Sequence, residues 1–307
     1  TLTIDAPSSR DLDDALSVLP ADSGGGVRVL VSIADVDAVV KPDSILDQEA
    51  QRRATSVYLR SAVTPMLPRS LSEDSLSVLP KKERPAVTAE FRIDPEGEIT
   101  SVDLYTSLIR SNARLSYERA AEYLDHSALR DADPEIETMM RWLRVASARL
   151  SASRATRGGF QIDRSDTTFE FDKKSGRPVA VRPRGQYSAN LLIERLMVAA
   201  NESVARWLFD RGLPAVYRVH DAPDEKRMER LTRSSRNFGF EVGISGELTP
   251  RSLAALEAQF RGTESEAAMR NTLSNLLGPA RYTIDPAAHF GLGSSLYLHF
   301  TSPIRRY

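Results

Sequence analysis

The stretch "TIDAPSSRDLDDALS", residues 3–17, contains four aspartates, Asp5, Asp11, Asp13 and Asp14, with a single arginine among them. The apolar residues on either side predict two strands, and the Pro and Ser residues of "APSSR" predict a loop between them. Asp5 ends the first strand, and the loop returns the other three aspartates toward it. The spacing therefore predicts that several carboxylates point at one place beside a sheet.

So much negative charge requires a positive partner, because two carboxylates at close range repel by about 4 kcal/mol at an effective dielectric constant of 20. The chain has no cysteine, so any metal must be held by oxygen or histidine. Oxygen ligands favour a hard divalent ion, Mg²⁺ with Mn²⁺ as a substitute. An EF-hand is a poor match, because its Gly and terminal Glu are absent at their offsets. The alternative is an acidic turn that caps a helix.

The composition is that of a soluble globular protein: 307 residues, 41% apolar, 27% charged, with a formal net charge of -1. No apolar run approaches the roughly 20 residues that a membrane helix needs, and the first residues lack the pattern of a signal peptide. These features predict a cytoplasmic protein without membrane association. The near-neutral net charge argues neither for nor against nucleic acid, but arginines cluster in segments such as "RSNAR" and "IRRY". The guanidinium groups of such clusters suit phosphate binding. The alternative for each cluster is that its arginines lie on a solvated surface without a ligand.

The residue pattern in the first third of the chain predicts β-strands. "VRVLVSIADV" is a β-branched run, and "VTAEFRID" with "ITSVDLYTSLI" flanks a turn and predicts a hairpin. Helical periodicity begins near residue 116, and one long helix carries Leu192, Leu196, Ala199 and Ala200 on one face. We find no repeat and no long linker. The pattern favours a single α+β domain with a mixed sheet.

Several blocks of this sequence together resemble the RNB catalytic domain of the ribonuclease II and ribonuclease R exoribonucleases. In chain order they include "TIDAPSSRDLDDALS", "LDQEAQRRATSVYL", "PMLPRSLSEDSLSVLPKKERPAV", "IRSNARLSY", "LLIERLMVAAN", "YRVHDAPD" and "HFGLGSSLYLHFTSPIRRY". The blocks span residues 1–307, and the first and last are the most specific. The resemblance implies one RNB domain over residues 1–307, a mixed sheet packed with helices around an RNA channel. It also implies processive 3′ to 5′ hydrolysis of single-stranded RNA to nucleoside 5′-monophosphates with Mg²⁺, by a monomer with flanking RNA-binding domains.

The family motif also implies roles for the acidic residues. Asp5, Asp11, Asp13 and Asp14 match catalytic positions that serve the metal, and Asp13 is the one we expect to be essential for catalysis. Spacing leaves open which of them bind the ion directly and which act through water. Arg305, the first arginine of "SPIRRY", matches the family's catalytic arginine and would hold the scissile phosphate with two N–H groups.

The resemblance further places three residues against the terminal nucleotides: Tyr58, Tyr117 and Glu194. Tyr58 would mark the channel mouth or brace the 3′ end. Tyr117 would lie in the catalytic cavity, with a packing role as its alternative. After "RGG" many relatives have an aromatic residue that stacks on the last bases. The nearest match here is Ile162, with Phe160 two positions earlier, so the base clamp departs from the family pattern.

Two other classes of function fit parts of the sequence. An RNA-binding scaffold of the same fold would have lost catalysis, and the presence of all four aspartates argues against it. A divalent-metal phosphatase of small molecules would need a cluster of histidines, which the sequence lacks.

Overall fold

The computed structural model describes residues 1–20, 24–59, 62–126, 131, 133–158, 167–172, 177–183, 187–240 and 248–307. The chain divides into two compact units. The first unit comprises Thr1–Ser153, Tyr187–Tyr217 and Tyr297–Tyr307, and the second comprises Arg154–Gln186 and Arg218–Leu296. The assignment of residues 1–307 to one domain stays a prediction.

Strands of the first unit form one large sheet and one short hairpin. In chain order they are β1 (Leu2–Asp5), β2 (Asp14–Pro20), β3 (Val27–Ala34), β4 (Val57–Tyr58), β5 (Val63–Thr64), β6 (Glu83–Ile93), β7 (Ile99–Arg110) and β8 (Ala113–Ser116). The six-stranded sheet has the order β7-β6-β3-β2-β1-β8, and β4 pairs with β5. β1 and β8 are parallel, whereas the other neighbours are antiparallel. This confirms the predicted mixed sheet and the β6–β7 hairpin.

Of the four helices described in the first unit, the last three in chain order pack apolar side chains against the sheet. The four are α1 (Ile45–Arg53), α2 (Tyr117–Asp125), α3 (Pro134–Thr156) and α4 (Ser188–Asp210), with a π-helical turn at Leu71–Ser75. The predicted face of α4 is buried, including Leu192, Leu196 and Ala200. These side chains form one core with apolar residues of the sheet, of α2 and of α3. The α+β class is therefore confirmed.

The second unit has two short two-stranded sheets and three helices in its described part. Its elements are β9 (Thr167–Phe171), β10 (Pro178–Pro183), β11 (Tyr217–Val219), α5 (Glu225–Asn237), α6 (Pro250–Phe260), α7 (Glu266–Leu276), β12 (Arg281–Thr283) and a 3₁₀ turn at Phe290–Leu292. Its core contains Leu231, Leu253, Phe260 and Leu273. Within this unit His220 bonds the carbonyl oxygen of Gly278 at 2.8 Å. That contact gives this histidine a structural role within the unit.

No helix in the described ranges has the length and apolar character that crossing a membrane requires.

Gly97, in the turn between β6 and β7, packs against the backbone of α3. Its φ is +89°, and a Cβ there would lie 2.2 Å from the carbonyl oxygen of Arg149. Gly97→Ala is therefore expected to lower the free energy of unfolding by at least ~3 kcal/mol. Gly212 is a matched control, because its φ is +63° but nothing lies within 4 Å of its Cβ position. Gly212→Ala should lose only about 1 kcal/mol. Urea unfolding of both variants measures the difference, and equal losses would contradict the predicted clash.

Candidate active site

The acidic segment lies at one edge of the large sheet. β1 ends at Asp5 and its antiparallel neighbour β2 begins at Asp14, so both aspartates lie at the same edge. The parallel strand β8 ends there too, with Ser116 opposite Asp5. The side chain of Ser116 caps α2 by accepting a hydrogen bond from the amide of Arg119 at 3.1 Å. Strand pairing thus brings Asp5, Asp14 and the start of α2 together.

Arg114, on β8, organises the loop that follows β1. Its Nη2 group donates to the carbonyl oxygens of Ala6 at 3.0 Å, Pro7 at 3.4 Å and Ser9 at 2.7 Å. One guanidinium therefore fixes three successive points of the loop. The loop cannot move away from the sheet edge without breaking these bonds.

The second half of the loop is anchored by Leu12, which is fully buried. Its amide donates to Ser77 Oγ at 3.0 Å, and that hydroxyl donates to the carbonyl oxygen of Arg10 at 2.7 Å. Leu12 lies between Asp11 and Asp13 in the chain. Its burial therefore fixes the backbone that carries both carboxylates.

Asp13 contacts the end of the chain. Its Oδ1 accepts a hydrogen bond from the amide of Ile304 at 2.8 Å, and its Oδ2 accepts one from Arg305 Nε at 3.1 Å. Arg305 also donates through Nη2 to Ser302 Oγ at 3.0 Å. Only 2% of Asp13 is exposed, whereas the Arg305 side chain is 42% exposed. The structure thus joins two predicted catalytic residues that are 292 positions apart.

The backbone at Arg305 is held by the segment that follows α1. The carbonyl oxygen of Arg305 accepts hydrogen bonds from Thr55 Oγ1 and from the amide of Ser56, each at 3.0 Å. The amide of Tyr307 donates to the carbonyl oxygen of Ala54 at 2.9 Å. Arg305 is consequently fixed through both its main chain and its side chain.

Tyr58, on β4, lies against the acidic segment. Its hydroxyl donates to Asp11 Oδ2, and about half of the residue is exposed. Burial, followed by the hydrogen bond to Asp11, raises the pKa of Tyr58 well above its usual value, so the hydroxyl stays protonated. The aromatic ring predicted to brace RNA is therefore next to the predicted metal ligands.

The other predicted RNA contacts occupy different positions. Tyr117 is the first residue of α2 and is partly buried against the main core. Glu194 lies on α4 and is partly exposed. Phe160 and Ile162 lie outside the described residues. Contact of these four side chains with RNA stays a prediction.

Three of the aspartates have pKa values above the usual value for a carboxyl group. Burial and then the charge of Asp14 raise the pKa of Asp5 to about 7. Burial raises the pKa of Asp14 to about 6, with Arg305 acting in the opposite direction. Burial raises the pKa of Asp13 to about 7, although Arg305 and the amide of Ile304 oppose it. The charges of Arg114 and Arg305 thus do not offset the effect of burial on the pKa values of these carboxylates.

A hard divalent ion fits this donor set. Asp5 Oδ2 is buried and has no hydrogen-bond partner among the described residues, so it is an oxygen available to a cation. Within the same residues, no group of three or more His, Asp or Glu side chains is gathered closely enough to hold an ion. A shared site of all four aspartates therefore stays a prediction. Mg²⁺ often takes only one or two carboxylates and completes its shell with water and substrate phosphate.

Sequence reasoning missed Asn201, which attaches the C-terminal segment to α4. Its Oδ1 accepts hydrogen bonds from the amides of Phe300 at 2.8 Å and Thr301 at 3.1 Å, and its Nδ2 donates to the hydroxyl of Tyr297 at 3.0 Å. The sequence did contain a signal, since Asn201 is a polar residue on the apolar face of a predicted helix. A buried amide side chain needs hydrogen-bond partners, so this position indicates a structural contact. Arg114 and Ser77 gave no comparable signal.

Comparison with known proteins identifies the family to which this chain is similar. The RNB domain model matches residues 1–307. Ribonuclease R of Thermotoga maritima is 37% identical over 309 residues, covering 100% of this chain and 43% of that protein. Ribonuclease R of Escherichia coli is 32% identical over 307 residues, covering 100% of this chain and 38% of that protein. The chain thus spans less than half the length of these curated relatives.

Solved structures show the same similarity in three dimensions. Mycoplasma genitalium RNase R, in complex with ribose methylated single-stranded RNA, has a TM-score of 0.94 at 31% identity, covering 100% of this chain and 48% of that chain. Yeast Ssd1, described as a pseudonuclease, has a TM-score of 0.77 at 21% identity, covering 96% of this chain and 36% of that chain. The second likeness concerns the fold alone.

Proposed function

Because the chain belongs to the RNB domain family, we propose that it is an exoribonuclease that degrades single-stranded RNA processively from the 3′ end, releasing nucleoside 5′-monophosphates. The observation that carries the proposal is the group of carboxylates at the sheet edge, of which Asp13 is buried and the others are partly buried, with Arg305 half exposed beside them. Relatives of more than twice this length suggest that flanking RNA-binding domains contribute to substrate capture. A cytoplasmic, monomeric protein stays a prediction.

The ion of this proposal is Mg²⁺, with Mn²⁺ as a substitute. Asp5 and Asp14 would hold it directly, since they end and begin adjacent strands and Asp5 Oδ2 has no other partner among the described residues. Asp11 belongs to the same site, with Tyr58 bonded to one of its oxygens. When bound, the ion would lower the pKa of a water molecule and neutralise phosphate charge.

The chain's own groups would position the RNA. Arg305 has five N–H groups, and its Nε and one Nη2 hydrogen are used within the protein, so the others can bind the scissile phosphate. The exposed ring of Tyr58 offers a face on which the 3′-terminal base can stack. Tyr117 and Glu194 would contact the neighbouring nucleotides, and Phe160 or Ile162 would provide the remaining clamp.

A gel of 5′-labelled RNA tests the proposal. Single-stranded RNA should shorten one nucleotide at a time from the 3′ end with Mg²⁺ and remain intact with EDTA. A 3′-labelled RNA should release labelled mononucleotide from the first turnover. Internal cleavage would contradict an exonuclease. Tight binding without shortening would instead favour an RNA-binding scaffold that has lost catalysis.

Charge at the carboxylates should make stability depend on pH and on metal. Asp14 has a raised pKa when folded, so it adds stability at pH values below its unfolded pKa, near 4, and that stability is lost as the pH rises to about 6. Asp14→Asn should therefore raise the melting temperature of the metal-free protein at pH 8 by about 3 °C.

The same gain should largely disappear at pH 4, where Asp14 is neutral in the folded state and about half protonated in the unfolded state. Mg²⁺ should stabilise the parent more than the Asp14→Asn variant. Asp103→Asn is the matched control, because Asp103 is exposed on β7. Thermal unfolding with and without Mg²⁺ provides the measurement. A destabilised Asp14→Asn variant at pH 8, or an equal response to Mg²⁺, would contradict the expected repulsion.

A further inference from the structure

Asp13 has a hydrogen-bond donor on each of its two carboxylate oxygens. The amide of Ile304 bonds Oδ1 at 2.8 Å and Arg305 Nε bonds Oδ2 at 3.1 Å. Asp5, by contrast, has an oxygen without a partner among the described residues. Two aspartates of one motif thus present different chemistry: one is engaged by the protein and one is open to a cation.

The two bonds of Asp13 fix consecutive residues of one turn. Ser302, within this turn, has a φ of +69°, a conformation that is unfavourable for a residue with a side chain. Ile304 is fully buried beside Leu12, which precedes Asp13 in the chain. The Ile304 bond holds the main chain of the turn, and the Arg305 bond sets the plane of the guanidinium. Together they determine where Arg305 presents its free N–H groups.

A divalent ion on Asp13 would stand close to the guanidinium that the same carboxylate already neutralises. The two cations would repel each other because both are positively charged. A single carboxylate cannot neutralise both of them. Arg305 would then be displaced from the position in which Nε and Ser302 hold it. The existing contacts therefore favour one cation, the guanidinium, at this carboxylate.

We infer that Asp13 is a positioning residue: it orients Arg305 toward the scissile phosphate and does not bind the metal ion. This inference rests on the proposed function and replaces the metal role that the sequence suggested for Asp13. Loss of Asp13 should consequently resemble loss of Arg305 rather than loss of Asp5. Asp13→Asn is a conservative test, since Asn keeps an acceptor for the Ile304 amide but can present its NH₂ group to Arg305 Nε.

The first measurement is Mn²⁺ binding by titration calorimetry without RNA. Asp13→Asn should leave the Mn²⁺ dissociation constant within about twofold of the parent, the limit expected for independent sites. Asp5→Asn, the matched control, should raise that constant more than about tenfold. An increase in Asp13→Asn as large as that in Asp5→Asn would overturn the inference.

The second measurement is a double-mutant cycle on the single-turnover rate of RNA cleavage. Asp13→Asn and Arg305→Ala should each lower the rate by about 100-fold or more. The double variant should be no more than about twofold slower than Arg305→Ala, because Asp13 has no other catalytic task. Multiplicative losses would show that Asp13 acts independently of Arg305 and would overturn the inference.

A third measurement separates this inference from the proposed function. The Nε–H resonance of Arg305 should be protected from exchange in the parent and lose that protection in Asp13→Asn, with no RNA or metal present. An unchanged resonance would overturn the positioning role whatever the activity. A parent that does not cleave RNA would instead overturn the proposed function, while this resonance would still report whether Asp13 holds Arg305.

Discussion

Replacement of Asp5 by asparagine is expected to reduce hydrolysis of single-stranded RNA by about a thousandfold or more. Asp5 is partly buried at the end of β1, its buried Oδ2 lacks a partner among the described residues, and desolvation raises its pKa to about 7. Asparagine keeps the shape and removes the charge that a divalent ion needs. RNA affinity should be unchanged or higher, because the variant repels phosphate less.

The measurement is a single-turnover assay with 5′-labelled RNA at saturating Mg²⁺, with binding followed by fluorescence anisotropy in the absence of metal. Asp103→Asn again serves as the control, and it should cleave at the parental rate. If Asp5→Asn cleaves within tenfold of the parent, the sheet edge is not the active site. If it loses RNA affinity instead, the carboxylate supports folding rather than chemistry.

Replacement of Arg305 by lysine is expected to lower the single-turnover rate by about 100- to 1000-fold with little change in RNA dissociation constant. Lysine retains the positive charge but loses the planar arrangement of N–H groups. It cannot bond Asp13, Ser302 and a phosphate with the geometry that Nε and Nη2 give Arg305. Many phosphates contribute to the binding of a long strand, whereas one phosphate reacts, so rate should fall more than affinity.

Arg306→Lys is the neighbouring control. Arg306 is exposed and lies near His299, with its Nη1 3.4 Å from Nδ1 of the histidine ring. Its replacement should change neither rate nor affinity appreciably. A parental rate in Arg305→Lys would remove Arg305 from the mechanism. Equal losses in the two variants would indicate a general need for guanidinium groups in this segment rather than a specific task of Arg305.

The local pattern of apolar and polar residues was sufficient to predict much of the fold. The apolar run of β3 and the turn between β6 and β7 gave the correct strands, and the 3.6-residue period of α4 gave its buried face. These features depend on side chains that are near one another in sequence, so a single chain reveals them. The parallel pairing of β1 with β8 joins residues more than a hundred positions apart and had no such local signal.

By itself the sequence determined which chemical groups are present: four aspartates in a strand–loop–strand segment, no cysteine, and an arginine in the "SPIRRY" motif. The tertiary structure alone decided how they are partnered. Asp11 accepts from Tyr58, and Asp13 accepts from Ile304 and Arg305. Spacing cannot encode such contacts, because hydrogen bonds require atoms within about 3 Å. Only the packing of distant segments brings them that close.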